Sequence, residues 1–234
     1  MSTRRPNESA GAAAGRRRGG PILVVSAFEP ELAPLRRLLA RARIGPRDVA
    51  CVPVGIGAVE AGVGAARAMN RFAPRMAVFI GTAGSYGARP AIGQAVIARR
   101  ITLASTAAAR GDGYLPGALV NRATTDSKLR AALSRASPAG ARVPAADAAA
   151  PTAITRGAAL ARRLAVHTGA AVENLELFGV ARAAHAAAVP FGAVLGISNR
   201  VGPRAHDEWR RHQEAATEAA TTVVARFLLN RLAI

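Results

Sequence analysis

Two carboxylates in one short segment have the side-chain type and spacing that favour acid–base chemistry. Glu173 and Glu176 are three residues apart at the start of an Ala-rich segment with a helical pattern, so we expect both on the same side of that helix. Leu175 and Leu177 beside them are apolar. A carboxylate in apolar surroundings has a raised pKa, as a general acid or base requires, or it binds ligand hydroxyl groups. A solvated helix face is the alternative.

Two further polar residues follow predicted strands. Glu31 lies just after the first apolar run, and Asn199 ends the apolar run that follows Pro190. Open α/β sheets bind ligands at the carboxyl ends of their strands, so we expect both side chains at one crevice suited to a polar, hydroxylated ligand. For Glu31 by itself, a simple interaction with the helix dipole is the competing interpretation.

The elements that would position these residues alternate between strand and helix. This alternation predicts a single-domain, three-layer α/β/α fold with a central mixed, mostly parallel sheet. A long C-terminal helix is expected from Asp207, whose side chain could cap it. Predicted strands cover residues 22–27, 50–54, 76–80 and 94–103; predicted helices cover 30–42, 58–72 and 207–232; segment 110–150 is irregular, with one short helix at 127–134.

Two glycine-containing segments follow strands and are expected to be turns. Gly55-Ile56-Gly57 lacks the third glycine of a dinucleotide-binding fingerprint, because Glu60 stands at that position. Gly81-Thr82-Ala83-Gly84 adds a hydroxyl group. Backbone N–H groups in such turns can approach an anion, a water or a ribose oxygen, but a purely structural turn is an equal alternative.

Composition limits the domain count and the class of partner. Half of the 234 residues are apolar, which is enough for one core over residues 21–234. Residues 1–20, with Arg4-Arg5 and Arg16-Arg17-Arg18, are predicted to be a disordered basic tail. The net charge of +18 comes almost wholly from scattered arginines, while aromatic residues make up only 4%. Nucleic-acid binding is therefore unlikely as the main function.

Cysteine and histidine usage favours a cofactor-free cytoplasmic protein. Cys51 is the only cysteine, so no intrachain disulfide can form. The four histidines have no metal-ligand spacing, and His206 with Trp209 is expected on a surface helix. We predict no metal and no organic cofactor. No apolar run approaches the roughly 20 residues that a membrane span requires.

In the order and placement of four segments, the chain resembles the nucleoside phosphorylase and nucleosidase superfamily. It is most similar to the methylthioadenosine/S-adenosylhomocysteine nucleosidases and the futalosine hydrolases. The segments are Ser26-Ala27-Phe28-Glu29-Pro30-Glu31-Leu32, Gly55-Ile56-Gly57, Gly81-Thr82-Ala83-Gly84, and residues 173–202.

The resemblance implies a role for each matched residue. Glu31 would activate water for attack on the anomeric carbon, Glu176 would hold the ribose hydroxyls, and Leu175 would pack on the sugar in place of a methionine. Asn199 would address the purine, and its amide suits a 6-oxopurine such as that of futalosine. The remaining substrate-binding residues would be Gly57, Thr82, Ala83, Gly84, Glu173 and Asn174.

Hydrolysis is expected because Glu31 would repel a phosphate nucleophile, whereas water needs such a base. A phosphate-dependent purine nucleoside phosphorylase is the alternative. A binding protein that has lost catalysis is another, suggested by Leu177, Phe178 and Leu195, where relatives usually carry other residues. A homo-oligomer is usual in the family, and a neighbouring subunit could lend a residue to the pocket.

Overall fold

The computed structural model describes residues 19–137, 140 and 142–232. Nearly all of the predicted tail, residues 1–18, lies outside the described residues, and its disorder stays a prediction. No helix within the described part of the chain is long and apolar enough to span a membrane.

Strands and helices alternate along most of the chain. The first half contains β1 (Ile22–Ser26), α1 (Glu29–Arg41), β2 (Val49–Pro53), α2 (Ala58–Phe72), β3 (Met76–Ser85), β4 (Ala95–Ala104) and α3 (Thr106–Arg110). The second half contains β5 (Arg122–Thr124), α4 (Ser127–Arg135), β6 (Ala145–Pro151), α5 (Ala158–Thr168), β7 (Val172–Glu173), α6 (Leu177–Ala186), β8 (Phe191–Arg200) and α7 (Ala205–Leu232).

The strands form one eight-stranded mixed sheet, in the order β2-β1-β3-β7-β6-β4-β5, with β8 pairing with both β3 and β4. Most pairings are parallel; β7 on β3, β5 on β4 and β8 on β4 are antiparallel. Strands β3, β8, β4, β6 and β7 therefore pair in a closed ring, and β1 and β2 extend from it. The predicted α/β fold class with a mostly parallel sheet is confirmed.

Helices cover the sheet on two sides, and each side has its own apolar core. On one side, residues of α2 and α6 pack against sheet residues such as Leu23, Phe79 and Phe191. On the other side, α1, α4 and α7 pack against Val24, Ile80 and other sheet residues. Both faces of β1 are buried, which explains why its first four residues are all apolar.

The second predicted turn is wrong, because strand β3 continues through Gly81-Thr82-Ala83-Gly84 to Ser85. This stretch pairs with β8, with a register shift between Ala83 and Gly84. Glycine is needed at positions 81 and 84 because neighbouring side chains come close to the backbone there, not because the chain turns. A Cβ on Gly81 would lie 2.8 Å from the Phe79 ring, and a Cβ on Gly84 would lie 2.8 Å from the Asn199 side-chain nitrogen.

The segment predicted to be irregular contains β5, β6 and α3 as well as the expected helix α4. Strand β6 reads Ala-Ala-Asp-Ala-Ala-Ala-Pro and has little intrinsic strand preference. It forms because it lies between β4 and β7 in the ring. Its one charged residue, Asp147, is bound by Arg99 and Arg100, and these bonds hold its pKa down, at about 2. The C-terminal helix also starts at Ala205, two residues before the predicted cap Asp207.

The packing of α7 on β8 predicts that Gly196→Ala destabilises the fold. A Cβ on Gly196 would overlap the backbone carbonyl of Ala216 in α7, which cannot turn aside as a flexible side chain could. We expect the free energy of unfolding, measured by urea denaturation, to fall by about 1–3 kcal/mol. Gly117→Ala is the control, since its added Cβ meets nothing within 4 Å. Equal stability of the two variants would contradict this packing.

Candidate active site

A cavity of about 350 Å³ lies where β1, β3, β7 and β8 reach their carboxyl ends or the turns that follow them. Nine of the ten predicted site residues line it, and Gly57 is the exception. Its lining consists of Ala27, Phe28, Glu31, Ile56, Thr82, Ala83, Gly84, Ile154, Glu173, Asn174, Leu175, Glu176, Ser198, Asn199, Ala205, His206 and Trp209. Residues far apart in the chain thus share one cavity, in the volume range of small-molecule sites.

Glu31 lies in the first turn of α1 and is only 4% exposed. Its Oε1 accepts hydrogen bonds from the backbone N–H of Thr82 at 2.9 Å and from the Thr82 hydroxyl at 3.2 Å. Its Oε2 is buried with no hydrogen-bond partner among the described residues. Burial raises the pKa of Glu31 to about 7, and the negative charge of Glu176 adds to this rise, while the Thr82 N–H opposes it. Glu31 is therefore held at one oxygen and can exchange a proton at the other near neutral pH.

Glu176 and Glu173 do not share a helix face, so that prediction is wrong. Glu173 ends the short strand β7, and Glu176 stands just before the first residue of α6. The helix starts later than predicted, at Leu177, and just before it the Asn174 Oδ1 accepts from the backbone N–H groups of Glu176 and Leu177. Both carboxylates still line the cavity.

The Glu176 carboxylate is held by the glycine turn before α2. The backbone N–H of Gly57 donates to Glu176 Oε1 at 2.9 Å. Gly57 directly precedes α2 and has a φ of 83°, a backbone conformation that favours glycine. Burial raises the pKa of Glu176, and the Gly57 bond opposes that rise. Gly57 thus contacts a cavity carboxylate without lining the cavity itself.

Glu173 is already bound by two protein donors. The Tyr86 hydroxyl donates to Oε2 at 2.7 Å, and the backbone N–H of Thr155 donates to Oε1 at 3.1 Å. Burial and the Glu173 charge raise the pKa of Tyr86 above its usual value, so its hydroxyl stays a donor. These bonds tie the end of β3 and the segment after β6 to the cavity wall.

Asn199 is held over Gly84 at the end of β8. Its Oδ1 accepts from the Ser198 hydroxyl at 2.8 Å, and its Nδ2 donates to the Arg200 carbonyl at 3.1 Å. A primary amide has two N–H donors and two lone pairs, so Asn199 keeps one donor and one acceptor for a ligand. The absence of a side chain at Gly84 leaves room for this amide.

Several larger side chains line the cavity that were not predicted site residues. They are Phe28, Ile56, Ile154, His206 and Trp209. His206 and Trp209 do lie on a surface helix, and their rings stack with centroids 5.9 Å apart. Phe28 could have been found from its place between the first strand and Glu31. Ile56 and Ile154 gave no comparable signal.

The three residues that suggested a loss of catalysis lie away from the cavity. Leu177 and Phe178 in α6 and Leu195 in β8 are buried in the apolar core and do not line the cavity. Among the described residues, no group of three or more His, Cys, Asp or Glu side chains could hold a metal ion.

Solved structures share this fold over nearly their whole length. A methylthioadenosine/S-adenosylhomocysteine nucleosidase from Neisseria meningitidis, in complex with methylthio-immucillin-A, matches with a TM-score of 0.79 and 21% identity, covering 90% of this chain and 99% of that chain. A futalosine hydrolase mutant from Helicobacter pylori matches with a TM-score of 0.81 and 15% identity, with the same coverage. At these identities the likeness concerns the fold.

Sequence comparison identifies the family. A futalosine hydrolase from Streptomyces coelicolor is 33% identical over 172 residues, which cover 68% of this chain and 73% of that protein. The phosphorylase superfamily model matches residues 21–230. The chain therefore belongs to the phosphorylase superfamily.

Proposed function

We propose that this protein is a nucleosidase that hydrolyses the N-glycosidic bond of a purine nucleoside. The observation that carries this proposal is the unpartnered Oε2 of Glu31, in a cavity shared with Glu176 and Asn199. A futalosine hydrolase among the relatives supports the same reaction class.

Glu31 would act as the general base. As the C1′–N9 bond of the nucleoside breaks, its electron pair goes to the purine and positive charge develops on the ribose. A water oxygen bonds to C1′ and its proton passes to Glu31 Oε2. The negative charges of Glu31 and Glu176 stabilise an oxocarbenium-like transition state, and Glu176 would also accept hydrogen bonds from the ribose hydroxyls.

Water is favoured over phosphate as the nucleophile. None of the described residues that line the cavity is Arg or Lys, while three are glutamates. A phosphate dianion would meet negative charge without a cation to pair with. The phosphate-dependent phosphorylase is therefore the second candidate function, after the nucleosidase.

Asn199 supports a 6-oxopurine as the leaving group. An amide cannot protonate the departing base, so it assists through hydrogen bonds alone. Its free N–H can donate to a 6-carbonyl and its free lone pair can accept from the neighbouring ring N–H. Futalosine is the first candidate, and the apolar surface that Phe28, Ile56, Ile154 and Trp209 add to the cavity lining suits a bulky 5′ substituent.

A binding protein without catalysis is less well supported. The residues that suggested it, Leu177, Phe178 and Leu195, are core residues that do not alter the cavity lining. The residues proposed for catalysis, Glu31, Glu176 and Asn199, are all present there.

A homo-oligomer is also part of the proposal. Ile56, Val59 and Val63 expose 66%, 76% and 45% of their surface at the start of α2. Val59 and Val63 lie on the same side of the helix, and Ile56, two residues before it, lines the cavity. A second copy seated on this patch would bury it and extend the cavity wall.

Hydrolysis without phosphate is the central prediction. In phosphate-free buffer, with inosine, futalosine and methylthioadenosine offered separately, chromatography should detect a free base. Glu31→Gln should lower kcat by about 10²–10⁴-fold, because its amide cannot accept the proton, while substrate binding persists. In the wild type, kcat/KM should fall as the pH drops below about 7, where Glu31 becomes protonated. Base release only when phosphate is added would instead favour the phosphorylase.

Base preference should depend on Asn199. Asn199→Asp supplies a carboxyl group that can protonate a purine ring, so we expect the kcat/KM ratio of 6-aminopurine to 6-oxopurine nucleosides to rise by about 10- to 100-fold. Ser198→Ala is a comparison variant, since it removes the hydroxyl that orients the amide but leaves its chemistry unchanged. An unaltered ratio in Asn199→Asp would mean that Asn199 does not recognise the base.

The α2 patch should control oligomeric state. Val59→Asp should convert the oligomer to monomers in size-exclusion chromatography with light scattering, because a buried carboxylate would lack a partner. Val166→Asp is the matched control, since Val166 is 86% exposed on α5. A monomeric wild-type protein would rule out this part of the proposal.

A further inference from the structure

Asn174 has little hydrogen-bonding capacity left for a ligand. It lines the cavity but is only 7% exposed. Its Oδ1 accepts from the N–H of Glu176 at 3.1 Å and from the N–H of Leu177 at 2.9 Å. Its Nδ2 donates to the Thr82 carbonyl at 3.0 Å. Three of the four bonds available to an amide are thus made within the protein.

One end of Asn174 fixes the Glu176 backbone. Its Oδ1 holds the backbone N–H groups of Glu176 and of Leu177, the first residue of α6, and so fixes the backbone from which the Glu176 side chain starts. The Gly57 N–H then holds the carboxylate itself.

The other end of Asn174 acts on Glu31 through Thr82. The Thr82 carbonyl accepts from Asn174, and the Thr82 N–H and hydroxyl donate to Glu31 Oε1. The two peptide groups of Thr82 flank one Cα, so a shift of the carbonyl also redirects the donors that hold Glu31. A chain of hydrogen bonds therefore runs from Glu176 through Asn174 and Thr82 to Glu31.

We propose that Asn174 is a positioning residue that couples the two cavity carboxylates, setting their relative placement instead of binding the substrate. The expected effect of this positioning role on turnover rests on the nucleosidase function proposed above. Two like charges in one cavity repel each other, so hydrogen bonds to the surrounding protein are needed to keep both carboxylates in place.

The residue type fits this task. Serine, threonine and aspartate side chains can also accept from backbone N–H groups two or three residues later in the chain. Among these, only asparagine offers an acceptor at one atom and an amide donor at another, so only asparagine can hold the Glu176 and Leu177 N–H groups and also donate to the Thr82 carbonyl.

Asn174→Ser separates the two tasks, because serine keeps an acceptor for the Glu176 and Leu177 N–H groups but lacks the amide that reaches Thr82. We expect kcat to fall by up to about 100-fold through misplacement of Glu31, with a smaller change in KM. The Thr82 bonds keep the pKa of Glu31 from rising further, so the acidic limb of the kcat/KM profile should move to higher pH. A purely structural role would lower the amount of folded protein without moving that limb.

A second measurement needs no turnover. The folded-state pKa of Glu31, about 7, lies above its ordinary value of 4.5, so Glu31 makes stability fall as the pH rises from about 4.5 to about 7, and the loss levels off above that range. The melting temperature of Glu31→Gln should therefore gain on that of the wild type between about pH 4.5 and 7. When the same Glu31→Gln change is made in the Asn174→Ser background, this gain should continue to higher pH before it levels off.

Asp126→Ser is the control, since Asp126 caps α4 through the Leu129 N–H and does not line the cavity. It should leave both pH profiles unchanged. If Asn174→Ser fails to fold, Asn174→Thr also keeps an acceptor and adds no charge, and the loss of the amide donor should shift the Glu31 titration upward too. An unshifted titration in a folded Asn174 variant would overturn the inference. Absence of nucleosidase activity would overturn the proposed function but leave the melting-temperature test valid.

Discussion

The burial of two carboxylates in one cavity is the constraint on which the site depends. Glu31 and Glu176 are 4% and 6% exposed, and burial raises the pKa of each. A buried charge is tolerated only when it is hydrogen-bonded, and here backbone N–H groups of Thr82 and Gly57 supply those bonds. Each carboxylate is thereby oriented by the backbone at one oxygen, Oε1.

The sheet explains how these donors come together. Strand β3 extends past the first strands and brings Thr82 opposite Glu31, while its small residues leave room for neighbouring side chains. The turn before α2 brings Gly57 to Glu176, and β8 ends with Asn199 above Gly84. The closed ring of β3, β8, β4, β6 and β7 holds these ends in one place. The cavity is thus assembled by rigid elements more than by long loops.

Sequence patterns succeeded where burial leaves a strong local signal. The strand β1 and the helix α2 follow the predicted limits closely, because continuous apolar runs and helical periodicity are encoded residue by residue. Strand β6 shows the opposite case. Its alanines favour no strand, and only its position between two other strands makes it one.

The sequence by itself determined the α/β class, the family resemblance and the identity of the candidate residues, since these depend on residue type, order and spacing. Tertiary structure alone decided how those residues are used. Glu173 could not be recognised as a residue already bound by Tyr86 and Thr155, nor Thr82 as the holder of Glu31. Both depend on hydrogen bonds between segments distant in the chain, and such bonds are defined only once the sheet brings the strand ends together.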